Sequence, residues 1–183
     1  KAARETEGVT LTWEGHFIDP LFTHTTTGFT RPGDEEHPYL ASVSCVHDPE
    51  EEGFVQEMIM QPEEAAKRVS AIPAGDGSFR TIPPEAFPEQ VQIISRDEAG
   101  YALQLQIGGF PFNGEEVRLA LGLPSACFEL NRHGSDVRFT VRGRGHGWGL
   151  SQTEAQALAE DGWSAEAILE YFYTGITLRT ISL

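Results

Sequence analysis

Cysteine is scarce in this chain of 183 residues, with only Cys45 and Cys127 present. Two are too few for a disulfide framework. Both lie on apolar, strand-like segments, so buried free thiols are expected, with a single bridge open if the mature protein is extracytoplasmic. No apolar run approaches the ~20 residues that a membrane-crossing helix needs, so no membrane span is expected. Basic residues are also few: 13 Lys and Arg stand against 28 Asp and Glu, for a formal charge of −15 and a pI near 4.7. That sign argues against a nucleic-acid partner, which requires a large basic face. Internal repeats, low-complexity tracts and a recognisable signal peptide are absent, and the chain opens on Lys1-Ala-Ala-Arg4, as expected if something upstream had been removed. What is left, with 39% hydrophobic residues, can bury a real core as one domain over 1–183.

The densest signal is Arg142-Gly-Arg-Gly-His-Gly-Trp-Gly-Leu-Ser-Gln152, where four glycines alternate around His146. Glycine permits φ > 0 and close approach to the main chain, so the loop is expected to expose its histidine. Ser151-Gln-Thr-Glu154 follows as a capping box, and Ala155, Leu158 and Ala159 continue at helical spacing until Gly162. A glycine loop emptying into a helix N-terminus suits an anion. A phosphate site is nevertheless rejected, because neither the Lys-Ser/Thr of a P-loop nor a dinucleotide fingerprint is present. Ahead of the loop, strand periodicity in 136–144 sends Val137, Phe139 and Val141 to one side and Arg138, Thr140 and Arg142 to the other. Five of the 13 basic residues fall between Arg118 and Arg144, so this ladder points to an anionic or polar ligand, or is a solvated face without function.

Elsewhere, hairpins are expected at 9–22, 90–107 and 127–141, strands at 39–46, 54–60 and 176–181, and helices at 62–69, 114–121, 151–161 and about 164–173. The fold class is therefore α+β, with mostly antiparallel strands and hairpins and helices concentrated at the C-terminal end. His24, His37, Cys45 and His47 are metal donors in one stretch, but they lack the paired spacing of tetrahedral zinc sites. No cofactor is expected, zinc being the one metal for which donors are at hand.

Several blocks resemble, in order, the stage II sporulation protein D (SpoIID/LytB) family. Gly143 to Gln152 is similar to its G-x-G-H-G-x-G-M-S-Q signature, and Ile168-Leu-Glu-Tyr-Phe-Tyr-Thr-Gly175 to the following I-L-x-x-Y-Y-x-G. Phe22 to Thr30 looks like H-S-x-S-G-G-x-T, and Pro38-Tyr-Leu-Ala-Ser-Val43 with Asp48 like P-Y-L-x-S-V…D. Gly114 to Ser125 is similar to the element that precedes the signature. Trp148, Leu150, Thr153 and Glu154 depart from the pattern, which normally carries a smaller aliphatic, methionine, tyrosine and glycine there.

The resemblance implies an extracytoplasmic protein of a sporulating bacterium, in the cell wall or intermembrane space, with a membrane anchor upstream as one option. Catalytic members of the family are peptidoglycan lytic transglycosylases, which cut glycan strands between N-acetylmuramic acid and N-acetylglucosamine and leave 1,6-anhydro ends. One carboxyl group suffices for that chemistry, since the sugar's own 6-hydroxyl is the nucleophile. The family's glutamate lies in a segment resembling P-S-E-M-P, followed by a helix resembling A-L-K-A-Q-A-V-A-A-R-T-Y. Neither is in this sequence, so the catalytic acid is expected before Lys1 and the chain alone is expected to be inactive. The resemblance further implies that His146, Ser151 and Gln152 line a glycan cleft from one side and His24 with Thr25 from the other. Arg142 or Arg144 is expected, independently of the family's pattern, to meet the lactyl carboxylate of muramic acid. The alternative is a non-catalytic glycan-binding module or an amidase enhancer, with a cell-wall amidase as its partner.

Overall fold

The computed structural model describes residues 8–181. Among these described residues, eleven strands and four α-helices form an α+β arrangement in which all strand pairs but one are antiparallel. β1 (Val9–Trp13) lies between β2 (His16–Phe17) and the last strand, β11 (Ile176–Thr180), so the two ends of the described chain share a sheet. β3 (Phe22–Thr23) pairs in parallel with β10 (Leu150–Ser151). β4 (Val55–Met60), β9 (Asp136–Arg142) and β8 (Phe128–His133) form a second three-stranded sheet, and β5 (Val91–Arg96), β6 (Ala102–Ile107) and β7 (Phe110–Asn113) a third.

Each helix forms where its terminal chemistry allows. α1 (Pro62–Ser70) starts with proline in its first turn, carries Glu63 and Glu64 ahead of Lys67 and Arg68, and buries Ala65, Ala66 and Val69. α2 (Gly114–Leu121) is capped by Asn113, whose side chain accepts from Glu115 N at 2.8 Å, and stops at the left-handed Gly122. α3 (Gln152–Glu160) and α4 (Ala165–Phe172) are capped by Ser151 and Ser164.

Two cores result. The first packs α1 and α2 with the second and third sheets around Leu105, Ile107, Phe128 and the β9 face of Val137, Phe139 and Val141. These three β9 residues are fully buried while Arg138, Thr140 and Arg142 are not, as the alternation predicts. The second gathers Tyr39, Leu40, Leu158, Ile168, Phe172 and Tyr173 under the first sheet and the last two helices. The glycine loop 143–149 leaves β9 in the first core and delivers Trp148 and Leu150 to the second.

Three expectations are corrected. The strand at 39–46 is irregular chain held by isolated bridges, Leu40 to Tyr173 and Phe29 to Ser44, because the adjacent Tyr39 and Leu40 are both buried and a strand would send them to opposite faces. The second strand of the first hairpin is interrupted around Pro20, leaving the short β2 and β3. β7 was not anticipated, since Pro111 argues against a strand; it is tolerated because β7 is the edge of its sheet.

Candidate functional site

The segment Leu21–Thr26 and the glycine loop are laced together backbone to backbone. His24 N and Thr25 N donate to Arg144 O at 3.1 and 3.0 Å, Arg144 N donates to Thr25 O at 2.8 Å, and Leu150 N donates to Leu21 O at 3.1 Å. This closeness explains the glycines. A Cβ on Gly149, at φ +71°, would stand 1.8 Å from Leu21 O, and one on Gly147 would meet the Tyr101 ring at 2.4 Å. The loop is thus pressed against protein at these positions, and its glycines serve packing where exposure of the histidine was expected.

A buried carboxylate ties three segments together beside it. Asp48, fully buried in the short 3₁₀ turn Asp48–Glu50, accepts from Thr26 N and Thr26 Oγ1 at 2.6 Å and from Ser151 Oγ at 2.7 Å. Ser151 is itself fully buried and caps α3, with Glu154 N donating to its Oγ at 3.4 Å. Only half of the expected capping box forms. The Glu154 carboxylate, 2% exposed, turns instead to His47, accepting from His47 N at 2.8 Å and lying 3.1 Å from His47 Nδ1.

Above this scaffold opens a groove of about 660 Å³ lined by His24, His47, Glu50, Glu51, Gln152, Thr153, Gln156 and Glu160. His24 and Glu51 also line an adjoining recess of about 170 Å³ that holds Thr25, Phe54, Gln56 and Arg144. His24 Nδ1 sits 2.7 Å from Thr25 Oγ1, which is 3.0 Å from Thr153 Oγ1, so Nε2 is the ring nitrogen left for a ligand. Arg144 is exposed and has no ion-pair partner among the described residues.

The expected site residues therefore divide. His24, Thr25, Gln152 and Arg144 line this continuous groove; Thr25 is 2% exposed and acts mainly by fixing His24. Ser151 lies beneath the groove, and its hydroxyl meets Asp48 and the first turn of α3. Arg142 is spent on Glu129 at 3.0 Å, and Arg138 on Glu57 at 3.5 Å, so the basic ladder is neutralised across its own sheet. His146 lines neither part of the groove. Its Nδ1 accepts from Trp148 N at 3.1 Å, which places the ring proton on Nε2, and burial holds the imidazole below its usual pKa.

The element that holds His146 went unread in the sequence. Arg31, 3% exposed, donates from Nε to Asp97 at 2.5 Å and from its η1 nitrogen to Glu115 at 2.9 Å and to the His146 carbonyl at 3.1 Å. Its guanidinium carbon lies 3.8 Å from the Trp148 ring centroid and 4.7 Å from that of Tyr101. Trp148 is committed to this stack, and its Nε1 donates to Pro32 O at 3.2 Å, so it offers no sugar platform in the groove. The four candidate metal donors do not converge either, although His24 and His47 line the same groove. His37 pairs with Asp34, Cys45 is fully buried, and among the described residues no three His, Cys, Asp or Glu side chains converge as a metal site. Both cysteines are free and buried, and burial pushes the Cys45 thiol up to about 12.

Comparison with known proteins bears on what this groove serves. No family model matches the chain. Over 181 residues, 97% of its length, it is 29% identical to the stage II sporulation protein D of Bacillus amyloliquefaciens. Over 178 residues, 95% of its length, it is 29% identical to the protein of that name from Bacillus subtilis (strain 168). Along nearly its whole length the chain is thus similar to stage II sporulation protein D. It spans about half the length of the curated relatives it matches, 49% of each. Near-complete coverage of the chain puts the glycine loop, the Asp48 hub and the groove all within the region similar to these two relatives. No helix among the described residues is long and apolar enough to cross a membrane.

Proposed function

We propose that the chain is the glycan-binding part of a sporulation protein that acts on peptidoglycan strands outside the cytoplasm. The observation that carries this reading is the groove itself: open, shallow in apolar surface, and lined by His24, Gln152, Thr153 and Gln156 beside an unpaired Arg144. Such donors and acceptors match sugar hydroxyl and acetamide groups, each hydrogen bond contributing about 1 kcal/mol net, and a free guanidinium suits the carboxylate of muramic acid. The relatives' name supports sporulation as the setting, and peptidoglycan as the substrate follows from the family resemblance. In the complete protein the reaction is a lytic transglycosylation between N-acetylmuramic acid and N-acetylglucosamine, with a glutamate outside residues 1–183 as its acid. His24 and Gln152 grip the strand, Thr25 and Ser151 hold them in place, and Arg144 takes the lactyl carboxylate.

The test is calorimetric binding of peptide-free glycan strands to the chain, with product ends read by mass spectrometry. Binding that weakens about tenfold in Arg144→Ala, the scale of one charge-assisted contact, is the expected result. Affinity unchanged in both Arg144→Ala and Gln152→Ala would sink the reading. Strands bound by the complete protein but never cut to 1,6-anhydro ends would replace the transglycosylase with a binding module or an activator of a cell-wall amidase.

A further inference from the structure

The pair formed by Glu154 and His47 has no part in the contacts assigned so far, yet it is built as a device. Glu154 stands on the first turn of α3 with its carboxylate almost fully buried, and both of its oxygens are occupied by one residue, His47. With Nδ1–H held by the carboxylate, His47 can meet a ligand only through Nε2. The side chain is 37% exposed and lines the groove beside His24, Gln152 and Gln156.

What Nε2 does there depends on the ring's charge. An imidazolium donates from both nitrogens, whereas a neutral ring that keeps its proton on Nδ1 offers Nε2 as an acceptor. The charged and titratable groups around His47 favour the imidazolium. Glu154 and Glu160 come from α3 and Asp161 from its C-terminal cap; Glu50 and Glu51 come from the 3₁₀ turn and the residue after it, and His24 lines the same groove. The hydrogen bond with Glu154 raises the His47 pKa, with smaller contributions from Asp161 and Glu50.

We propose that His47, oriented by Glu154, is a ligand-binding cation of the groove that donates through Nε2 to an oxygen acceptor of a bound N-acetylated sugar, with Glu154 as its positioning residue. This rests on the glycan reading and adds to it a binding residue. It also explains why an acid-rich groove can hold a strand that itself carries carboxylates: His47 at one end and Arg144 at the other supply the positive charge.

The experiment is calorimetric titration of peptide-free glycan strands into the wild-type chain, His47→Gln and Glu154→Gln, at pH 5.5 and pH 8. Histidine NMR on each protein gives the His47 pKa and confirms the fold. Wild-type affinity should fall about tenfold between the two pH values, the scale of a charged hydrogen bond. His47→Gln should bind weakly at both, and Glu154→Gln should move the pH midpoint downward along with the His47 pKa. His47→Gln leaves the backbone bond from His47 N to Glu154 intact, so it carries the test even if Glu154→Gln fails to fold. Binding that keeps its pH dependence in His47→Gln, or shows none in the wild type, overturns this inference and leaves the glycan reading standing. A wild-type chain that binds no glycan at either pH overturns both.

Discussion

Replacing Arg31 by methionine tests whether the glycine loop is held by a buried cation. The guanidinium is 3% exposed and its partners Asp97 and Glu115 are 13% and 21% exposed, so solvent screens these pairs only slightly. Methionine matches much of the volume but strands the Asp97 carboxylate, leaves Glu115 to Arg118 alone at 3.0 Å, and frees the His146 carbonyl. Removing one partner of a buried ion pair costs about 3–5 kcal/mol, because the remaining charge is left uncompensated. With a urea slope of about 2 kcal/mol per molar, the midpoint should drop by roughly 1.5–2.5 M at unchanged slope. Arg31→Lys should lose less, since it keeps the charge while giving up the planar fork and the stack on Trp148. Tryptophan fluorescence should report the released Trp148 in both variants. Arg31→Met and Asp97→Asn combined should cost less than the sum of the two, as residues in one network do. A midpoint shift below about 0.5 M in Arg31→Met would refute the clamp, because no buried charge would then have been left uncompensated.

Further outcomes follow from the same geometry. Gly149→Ala should destabilise by well over the ~1–2 kcal/mol of a left-handed alanine, since its Cβ would overlap Leu21 O, while Gly134→Ala, equally left-handed in the β8–β9 hairpin with open space around it, should cost only that strain; thermal unfolding of the two variants compares them. The two perturbed histidines should tilt stability with pH in opposite senses. His146 is depressed when folded, so its contribution is complete above the unfolded value of 6.5 and is lost as pH falls from there through the folded pKa, and His146→Gln should flatten that acid limb in urea melts. His47 is raised when folded, so its contribution is complete below 6.5 and is lost as pH rises through the folded pKa, a limb that His47→Gln should erase. Cys45 and Cys127, both buried with thiol pKa values pushed up, should resist a thiol reagent at pH 8 until denaturant is added; fast native reaction at either would contradict the packing.

What could be read from residues alone was whatever local rules determine. The period-2 pattern of β9, the 114–121 bounds of α2, and the Ser151 cap of α3 each depend on neighbours a few positions away, and each appears where expected. The glycine loop was legible as unusual, but its reason was not, because Leu21 and Tyr101 lie far away in sequence and only folding brings them against it. Arg31 was hidden for the same cause: its partners Asp97, Glu115 and Trp148 come from three separate segments. Glu154 was misread because the capping-box spacing fully accounts for a glutamate there, and nothing local reveals that its carboxylate turns to His47. The basic ladder was correctly placed and wrongly weighted, since Glu57 and Glu129 sit opposite it on neighbouring strands.

Asp48 has a consequence for how such a groove can diversify. Asp48 and the two residues that donate to it each lie within two positions of a groove-lining side chain: Thr26 is two residues after His24, Asp48 follows His47, and Ser151 precedes Gln152. One carboxylate under the floor therefore sets the spacing of three groove-lining positions without lining the groove itself. The side chains at 24, 47 and 152 are free to change chemistry independently while the distances between them stay fixed. Conversely, any change at Asp48 would shift all three at once, so the width of the groove and its specificity are inherited separately.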